Sequence, residues 1–584
     1  MPYNTDIAAP SLKPVRLPAS ATFLLPRWGL VLLCLLYILP GLIGRDPWKN
    51  DDAAGFGIMW TMAHGGLNDW LWPHIVGQLM PQEGPLTFWL GAICIKLFGW
   101  LLGDALAARM APLCFFMVGA ISVWYSTYLL GRRTEAQPMQ LAFGGQPEPN
   151  DYGRVLADGA LLIYLGCIGL LLHSHETRAE ALLVSLVAFL LYMSARYVKT
   201  PSLRNACMLG LALGCIALTR GWVVPLGLWL SFFISFRLLN LQTGRSVRHL
   251  LIAVGVAIAI ISLWLFSADA IRPFNSTPFD GWMDWNYSQL ALPGYDSIKY
   301  FFKNGLWFFW PAWPFAIWAL YAWRRQRQAM HILLPLSFVI ALSIVAFLNP
   351  NAEEGALLPL LPALAMLAAF GLPTMKRGAI NAVDWFSVMT LTTSAGFIWV
   401  GWIAKQTGWP AQIAKNAFKI APGFKPEFSL IAFLVAAGAT ILWFLLVFWR
   451  LSRQPVVLWR AVVLSSGGVI LCWLLLTTLW LPWINYGKSY ATVAQEIAQK
   501  LPDSAYCVET NVSSAQRASF AYLGGIRFAG FDDSQCKFVL LRAYAVKRGG
   551  PAQYPEVNGK TKILWEGHRP ADRDERFRLY QRVK

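Results

Sequence analysis

Charged residues are scarce in this chain of 584 residues. Asp, Glu, Lys and Arg together make up 14% of the sequence, whereas hydrophobic residues make up 56%, and the mean hydropathy is +0.46. This scarcity excludes a set of soluble domains. Apolar runs long enough to cross a bilayer recur from Leu30 to Leu481. The sequence therefore predicts an α-helical polytopic membrane protein.

Acidic residues are fewer than basic ones. The chain has 31 Asp and Glu and 49 Lys and Arg, which gives a net charge of +18. The basic residues form no stripe on a soluble face, which argues against a nucleic-acid partner. They gather instead in short loops between apolar runs, and the positive-inside rule assigns such loops to the cytoplasm. Examples are Arg132, Arg133, Arg196, Lys199, Arg245, Arg248, Arg324, Arg325, Arg327, Lys376, Arg377, Arg450 and Arg453.

The nine cysteines include no CxxC pair and no zinc-type spacing with His. Seven of the nine lie in apolar segments, where a cysteine is most simply a small buried hydrophobe. Cys507 and Cys536 lie in the polar C-terminal region. They can pair as a disulfide if that region faces an oxidising compartment.

The first 26 residues are polar and proline-rich, and no small-residue cleavage site follows a short apolar core. We expect residues 1–27 to be a cytoplasmic segment and Trp28–Ile43 to be a retained first span. A bare hydropathy count gives about fourteen spans, which would place most basic loops outside. If Pro85–Leu101 is a membrane-surface helix, about thirteen spans remain and every loop obeys the charge rule.

The predicted spans divide the chain after residue 27 into a membrane domain with two outer loops and a C-terminal domain. Residues 28–482 form the membrane domain, with outer loops at 45–103 and 269–302. Residues 483–584 form a small outer α/β domain, with helices at 489–501 and 513–525 and strands at 505–510 and 536–541. The predicted spans lie near 28–43, 105–130, 155–172, 179–197, 203–219, 222–238, 250–268, 304–322, 331–348, 355–372, 383–403, 428–449 and 461–481.

The loop from Gly44 to Gly103 concentrates carboxylates in a chain that otherwise has few. Asp51 and Asp52 follow the first span, and Glu83 precedes the surface helix. The loop also carries six tryptophans, which suit a membrane–water boundary. An acidic loop held against the bilayer by aromatic residues favours a reaction site for a lipid-borne substrate.

A second polar group lies in the turn after the third span. Residues 173–180 contain two His, two Glu and one Arg, which are costly near lipid and favour a functional role. The alternative is a solvated turn whose charges pair with one another. Metal binding by His173, His175 and Glu176 is disfavoured, because residues two apart do not share a helix face.

These groups suit transfer from a lipid-phosphate donor. Cations would stabilise the departing phosphate, and a carboxylate would take the proton of an acceptor hydroxyl or stabilise an oxocarbenium-like sugar. No cofactor is predicted with certainty, and a divalent cation held by the acids is an alternative partner for the phosphate. The candidate catalytic residues are Asp51, Asp52, Glu180 and Glu176, and the candidate substrate- or phosphate-binding residues are Glu83, Arg178, Arg220, Lys299, Lys303 and His175.

Three motifs together resemble the GT-C glycosyltransferases. They are the acidic pair Asp51-Asp52, the element Glu83-Gly84-Pro85 that opens a surface helix, and the acidic turn near Glu180. The resemblance is nearest to the branch with the lipid A aminoarabinose transferase and the protein O-mannosyltransferases. It implies about thirteen spans, a periplasmic C-terminal domain, a polyprenyl-phosphate sugar donor and a lipid or glycolipid acceptor.

The resemblance also implies roles for individual residues. Asp51 falls on the catalytic base and Glu83 on the Glu before the surface helix. Glu180 matches the second acid, with Glu176 as a rival. The chain departs from the family in having Asp-Asp for Asp-Glu, and from the aminoarabinose branch in having Gly84-Pro85 for Lys-Pro.

We therefore expect an inverting glycosyltransferase of the bacterial inner membrane, with its site on the periplasmic side. The donor would be a polyprenyl (undecaprenyl)-phosphate sugar, and the acceptor a lipid A-like or other periplasmic molecule. The alternatives are a transporter or flippase of a lipid-linked saccharide, a protein O-glycosyltransferase, and a non-catalytic scaffold. Carboxylates at the outer ends of spans, without an inverted repeat, disfavour the transporter.

Overall fold

The structure is a computed structural model, which describes residues 13–79, 84–140, 144–239, 243–271, 277–351, 353–453, 458–503, 505–530, 536–544, 553–557 and 559–583. The chain is mainly helical up to Lys488. The α-helices of this part are α1 Arg27–Ile38, α2 Asp51–His64, α3 Leu67–Leu71, α4 Leu86–Leu102, α5 Asp104–Gly131, α6 Pro149–Gly166, α7 Ile168–His173, α8 Ala179–Lys199, α9 Leu203–Arg220, α10 Val223–Leu238, α11 Gly244–Ile271, α12 Pro278–Ser288, α13 Tyr295–Phe308, α14 Ala312–Ala322, α15 Met330–Leu348, α16 Leu361–Ala369, α17 Arg377–Thr407, α18 Ala411–Ile420, α19 Leu430–Arg453, α20 Arg460–Leu479 and α21 Leu481–Lys488.

Nine helical segments within the described ranges are long and apolar enough to cross a membrane. They coincide with nine of the predicted spans, and the chain is a multi-pass membrane protein. The total of thirteen stays a prediction. The nine segments are Asp104–Gly131, Ala179–Lys199, Leu203–Arg220, Gly244–Ile271, Met330–Leu348, Glu354–Thr374, Arg377–Thr407, Leu430–Arg450 and Val462–Leu479.

The other four predicted spans correspond to shorter or broken helices. The span predicted at 155–172 consists of α6 and α7, separated at Cys167. The span predicted at 304–322 covers the end of α13 and all of α14, with Pro311 between them. Proline has no backbone N–H to continue a helix, so a break at this position is expected.

The helix predicted over Pro85–Leu101 is observed as α4, which has 17 residues and begins immediately after Pro85. It packs against α5 and against α2 of the outer loop. Its contact with α2 ties the outer loop to the helix bundle. Its position relative to the membrane surface stays a prediction.

The bundle is built around α16. In the segment Glu354–Thr374 the apolar window is 94% buried, whereas the window in α19 is 11% buried. The apolar residues of α16 are therefore covered by protein on all sides, and those of α19 face lipid. Helices α5, α6 and α8 pack together beside α16 and contribute to the buried core.

The C-terminal region forms the predicted α/β domain. Its elements are α22 Ala491–Ala498, β3 Val508–Thr510, α23 Ser514–Gly524, β4 Phe538–Arg542, β5 Thr561–Arg569 and β6 Asp572–Arg582. They form a four-stranded sheet of order β3-β4-β6-β5, in which β3 and β4 are parallel and the other pairs antiparallel. The hairpin β5–β6 was missed by the sequence analysis. A disulfide joins Cys507 and Cys536 next to β3 and β4.

The C-terminal domain contacts the outer loop directly. Helix α23 packs along α2, and the Arg517 guanidinium donates to the carbonyl of Val76. The loop itself adds a two-residue hairpin, β1 His74–Ile75 and β2 Gln78–Leu79. The loop that carries Asp51 and Asp52 is thus held between the helix bundle and this domain.

Candidate active site

Asp51 and Asp52 are the first two residues of α2. Carboxylates are favourable there because a helix N-terminus carries partial positive charge. Consecutive residues of a helix point about 100° apart, so these two side chains have different surroundings. Asp52 is 3% exposed, whereas the side chain of Asp51 is 65% exposed.

Asp52 lies in a closed polar cluster. Its Oδ2 is 3.2 Å from both Arg45 and Arg109 and accepts a bond from the backbone N–H of Trp48. Its Oδ1 accepts bonds from the backbone N–H and the hydroxyl of Thr177, at 2.9 and 3.0 Å. We call Asp52, Arg45, Arg109 and Thr177 the anchor cluster. It joins the outer loop to α5 and to the turn before α8.

These partners keep Asp52 ionised. Burial alone would raise its pKa, but Arg109, Arg45 and two backbone N–H groups hold the pKa of this carboxyl well below its usual range. The same environment lowers the pKa of Arg45 to about 10, because burial of its guanidinium outweighs the attraction of Asp52. Every oxygen lone pair of Asp52 that faces the protein is thus used in holding the loop.

Asp51 belongs to a second, more open cluster around Arg178. The Arg178 guanidinium lies 3.0 Å from Asp51, 3.1 Å from Glu180 and 3.7 Å from Glu176. Burial opposes its charge, but Glu180, Asp51 and Glu176 raise the pKa of Arg178 above its ordinary value. Arg178 is therefore a fixed cation shared by three carboxylates, of which Asp51 is the exposed one.

Arg220 extends this cluster. It ends α9, where a cation is favoured by the helix dipole, and it contacts Glu180 and, at 2.6 Å, Glu353. Gly221 follows with a φ of +72°, and a Cβ there would lie 2.1 Å from Oδ1 of Asn286. The chain can turn at this point only with glycine. We call Asp51, Arg178, Glu180, Arg220 and Glu353 the rim cluster.

His173 closes one side of the rim cluster. Its Nδ1 is 3.0 Å from Glu176 and its Nε2 is 2.9 Å from Glu354. Burial opposes the charge, but the two carboxylates raise the pKa of His173 to about 9. His173 is therefore protonated at neutral pH and adds a third cation beside Arg178 and Arg220.

His175 is placed differently from its neighbours in sequence. It is fully buried between α1 and α20, where its Nε2 lies 3.1 Å from the carbonyl of Tyr37 and 3.2 Å from the indole N–H of Trp473. Burial and the nearby Arg45 lower its pKa to about 3, so His175 is neutral. Its predicted contact with phosphate has no support from this position.

Lys299 and Lys303 are exposed on α13. Among the ion pairs of the described residues, none joins either lysine to the rim cluster. Ser297 of the same helix donates a hydrogen bond of 3.1 Å to the backbone carbonyl of Asn349, four residues before Glu353. Helix α13 thus borders the rim cluster, and phosphate binding by its two lysines stays a prediction.

Glu83 lies outside the described residues. The adjacent Gly84 has a φ of +134°, and a Cβ at this residue would lie 2.1 Å from the carbonyl oxygen of Leu218. This segment therefore touches the end of α9, two residues before Arg220. No group of three or more His, Cys, Asp or Glu residues that could hold a metal ion occurs within the described part of the chain.

Several residues of the two clusters were not among the predicted site residues. They are Arg45, Arg109, Thr177 and Glu353. Arg109 could have been predicted from the sequence, because an arginine inside an apolar run is costly unless it pairs with another polar group. Glu353 and Glu354 lie between two predicted spans, more than 170 residues from Glu180, and the predicted topology places them at the outer face together with the site.

No protein-family model matches the chain. A curated relative, undecaprenyl phosphate-alpha-4-amino-4-deoxy-L-arabinose arabinosyl transferase 2 of Pseudomonas fluorescens, is 28% identical over 392 residues, which are 64% of this chain and 60% of the relative. The matched region thus spans less than two thirds of the relative's length.

Two solved structures have a similar fold. ArnT from Cupriavidus metallidurans bound to undecaprenyl phosphate covers 95% of this chain and 98% of its own, with a TM-score of 0.65 and 15% identity. The same protein in the apo state matches with a TM-score of 0.61. The predicted fold class is confirmed, and so is the predicted resemblance to the GT-C glycosyltransferases of the aminoarabinose transferase branch.

Proposed function

We propose that this chain, a multi-pass membrane protein with the fold of ArnT, is a glycosyltransferase that uses a polyprenyl-phosphate-linked sugar. The similar curated protein is by name an arabinosyl transferase of an undecaprenyl-phosphate sugar, and ArnT has been crystallised with undecaprenyl phosphate. We infer that the acceptor is a lipid A-like glycolipid. The site would lie on the periplasmic side of the bacterial inner membrane, the side that the charge rule assigns to the outer loops.

The observation that carries this proposal is the contrast between Asp51 and Asp52. The carboxylate of Asp52 is enclosed by five polar groups, whereas Asp51 is exposed and lies 3.0 Å from Arg178. A general base must be within hydrogen-bond reach of the proton that it accepts, which requires an accessible carboxylate. Asp51 meets this requirement, and we assign it the role of base.

Arg178 and Arg220 supply the charge that the leaving group needs. In the transfer, an acceptor hydroxyl oxygen attacks the anomeric carbon, the bond from that carbon to the phosphate oxygen breaks, and polyprenyl phosphate leaves with the electron pair. Guanidinium groups stabilise the charge that develops on the phosphate. The acceptor proton passes to Asp51, and attack opposite the phosphate inverts the anomeric centre.

The ion pair between Asp51 and Arg178 couples donor binding to the base. A phosphate that approaches Arg178 competes with Asp51 for the same N–H donors. Release from Arg178 leaves the carboxylate oxygens of Asp51 free to accept the proton of the acceptor hydroxyl. Glu180 keeps Arg178 and Arg220 in place, because it contacts both guanidinium groups.

The direct test is sugar transfer by Asp51→Asn. The assay uses the full-length protein in detergent, an undecaprenyl-phosphate-linked 4-amino-4-deoxyarabinose donor and purified lipid A, with the product read by mass spectrometry. We expect a loss of about 10²- to 10⁴-fold in turnover, as for removal of a general base. The matched control is Asp503→Asn, which neutralises an exposed carboxylate of the C-terminal domain and should leave transfer unchanged.

Full activity in Asp51→Asn would overturn the assignment of the base. No transfer by the unaltered protein, with donor recovered intact on the opposite side of proteoliposomes, would instead support the flippase alternative. Transfer from other polyprenyl-phosphate-linked sugars, but not from the 4-amino-4-deoxyarabinose donor, would keep the proposed reaction class and change the proposed sugar.

A further inference from the structure

A basic cavity lies at the end of the helix bundle opposite the candidate site. Helix α15 connects the two ends: it begins at Met330 in the wall of the cavity and ends at Leu348, beside Asn349 and the rim cluster. Its 19 residues span about 28 Å, close to the thickness of the hydrocarbon core. The cavity has a volume of about 740 Å³ and lies at the membrane face that carries the basic loops.

The cavity is lined by five cationic side chains and one carboxylate. The cations are Lys13, Arg133, Arg324, Arg325 and Arg327, and the carboxylate is Glu135.

The one carboxylate of the cavity is already paired within the protein. Glu135 lies 2.7 Å from Arg133 and accepts a hydrogen bond from the backbone N–H of Met330. In the ion pairs of the described residues, no carboxylate partners the three arginines of the loop after α14. The positive-inside rule explains why these loops are basic, but it does not explain why their side chains line one cavity. The cavity therefore has an excess of positive charge.

One buried polar atom also points to a ligand. Gln326 lies in the same lining, and its side-chain oxygen is buried without a hydrogen-bond partner in the structure. A buried acceptor without a partner is costly. Phosphate oxygens would pair with the arginines, whereas a hydroxyl of the same ligand would donate to Gln326. Glycerol-type lipid headgroups carry both groups.

An apolar groove continues from this cavity along the membrane. It has a volume of about 500 Å³ and runs between α10 and α15. Leu238 and Leu333 line its end near the cavity, next to Leu239 and Met330 of the cavity wall. Leu230, Ile234 and Ile340 of its lining are exposed by 42%, 53% and 51%. The groove therefore presents apolar side chains where a lipid chain can lie.

We propose that the cavity and the groove together bind one anionic phospholipid of the cytoplasmic leaflet. Its phosphate and glycerol headgroup lies among Arg324, Arg325, Arg327 and Gln326, and one acyl chain lies between α10 and α15. The charge of the cavity favours phosphatidylglycerol-type lipids over zwitterionic ones. This site is separate from the proposed glycosyl transfer and does not depend on it.

The test measures lipid binding to the full-length protein purified in a neutral detergent. Phosphatidylglycerol or phosphatidylcholine is added, and the bound copies and the melting temperature are read by native mass spectrometry and by thermal unfolding. The test variant is Arg324→Gln with Arg325→Gln and Arg327→Gln. The matched control is Lys199→Gln with Arg204→Gln, which removes basic residues of another loop at the same membrane face.

We expect one tightly bound phosphatidylglycerol and a raised melting temperature in the unaltered protein and in the control. Removal of three cations is expected to weaken binding by about 100-fold, on the basis of about 1 kcal/mol for each cation. Equal binding of phosphatidylcholine, or unchanged phosphatidylglycerol binding in the triple variant, would overturn the proposal. So would inorganic phosphate that reproduces the whole thermal shift, since the site would then be one for a free anion.

The groove provides a second variant that keeps all charges. Ile340→Trp fills the groove and is expected to weaken phosphatidylglycerol binding by blocking the acyl chain. Unchanged binding in this variant would overturn the placement of the chain. It is the deciding measurement if the triple arginine variant fails to fold.

Discussion

The anchor cluster and the rim cluster contain the same kinds of side chains but use them in opposite ways. In the anchor cluster, two arginines and three hydrogen-bond donors close around the single carboxylate of Asp52. In the rim cluster, one arginine is shared by three carboxylates, and Asp51 remains exposed. The charges of the anchor cluster hold the outer loop against the helix bundle, whereas the rim cluster leaves an acid and cations available to a ligand.

The largest effect on stability should come from the anchor cluster. Asp52→Asn would leave the buried Arg109 without its carboxylate partner and Arg45 with only Glu176, at 3.8 Å, and loss of one partner of a buried pair costs about 3–5 kcal/mol. We expect a sharply lower yield of folded protein and a lower melting temperature. Asp51→Asn is the matched control, because an exposed ion pair contributes at most about 1 kcal/mol. Similar melting temperatures of the two variants would remove the distinction between the clusters.

The largest effect on turnover, after that of Asp51, should come from Arg178. Arg178→Gln removes the cation that contacts Asp51, Glu176 and Glu180. By analogy with the loss of one transition-state hydrogen-bond donor, we expect turnover to fall about 10²- to 10³-fold. Arg178→Lys should recover part of it, because a lysine keeps the charge but not the forked geometry.

Arg196→Gln is the control for this prediction. Arg196 lies in the last turn of α8, the helix that follows Arg178. Loss of activity in both variants would indicate damage to the helix instead of loss of a cation. Equal activity of Arg178→Gln and the unaltered protein would mean that the rim cluster does not contact the phosphate.

A smaller effect should appear as a pH dependence of stability around His173. Its pKa is raised from an ordinary 6.5 to about 9 by Glu176 and Glu354, against the effect of burial. Protonated His173 therefore stabilises the folded protein fully below pH 6.5, and this contribution is lost as the pH rises through about 9. Arg178 also faces this group and lowers its pKa slightly.

The measurement is the melting temperature from pH 6 to about pH 9.5. The unaltered protein should lose stability over this range, and His173→Gln should lose less. The exposed His568 offers a control, since His568→Gln should follow the unaltered protein. Parallel curves for His173→Gln and the unaltered protein would contradict the proposed charge of His173.

The sequence was sufficient for the helical architecture and for the location of the site, because both depend on strong local signals. Apolar runs of span length predicted nine of the long helices where they occur. Asp51, Glu180, Arg178 and Arg220 were identified because charge next to lipid is costly, and the structure brings these four together.

Tertiary packing determines which of the predicted residues are exposed at the site and which are buried. Asp51 and Asp52 are equivalent in any local pattern, and only the rotation of α2 against α5 buries the second of them. His175 resembled a site residue, but it packs between α1 and α20. Glu353 reaches Arg220 from a distant part of the chain. Such choices depend on contacts between elements that no spacing along the chain records.

The smallest effect should test how α21, the helix that leads into the C-terminal domain, acts on the rim cluster. Asn485 of α21 accepts a bond from the indole N–H of Trp48 and donates to the carbonyl of Gly44, both at 2.8 Å. Asn485→Leu removes these two hydrogen bonds and a longer one of 3.4 Å from the backbone N–H of Asp46, each of about 1 kcal/mol, so the loop before Asp51 is held less firmly. We expect turnover to fall a few-fold with little change in KM.

Asn511→Leu gives a closely matched comparison for this last variant. Asn511 also makes two backbone hydrogen bonds, both with Arg542, but inside the C-terminal domain and away from the loop. If the domain only needs to be folded, both variants should reduce turnover alike. If the contact of α21 with the outer loop positions Asp51, then only Asn485→Leu should reduce turnover, and the same contact would support both the anchor cluster and the rim cluster.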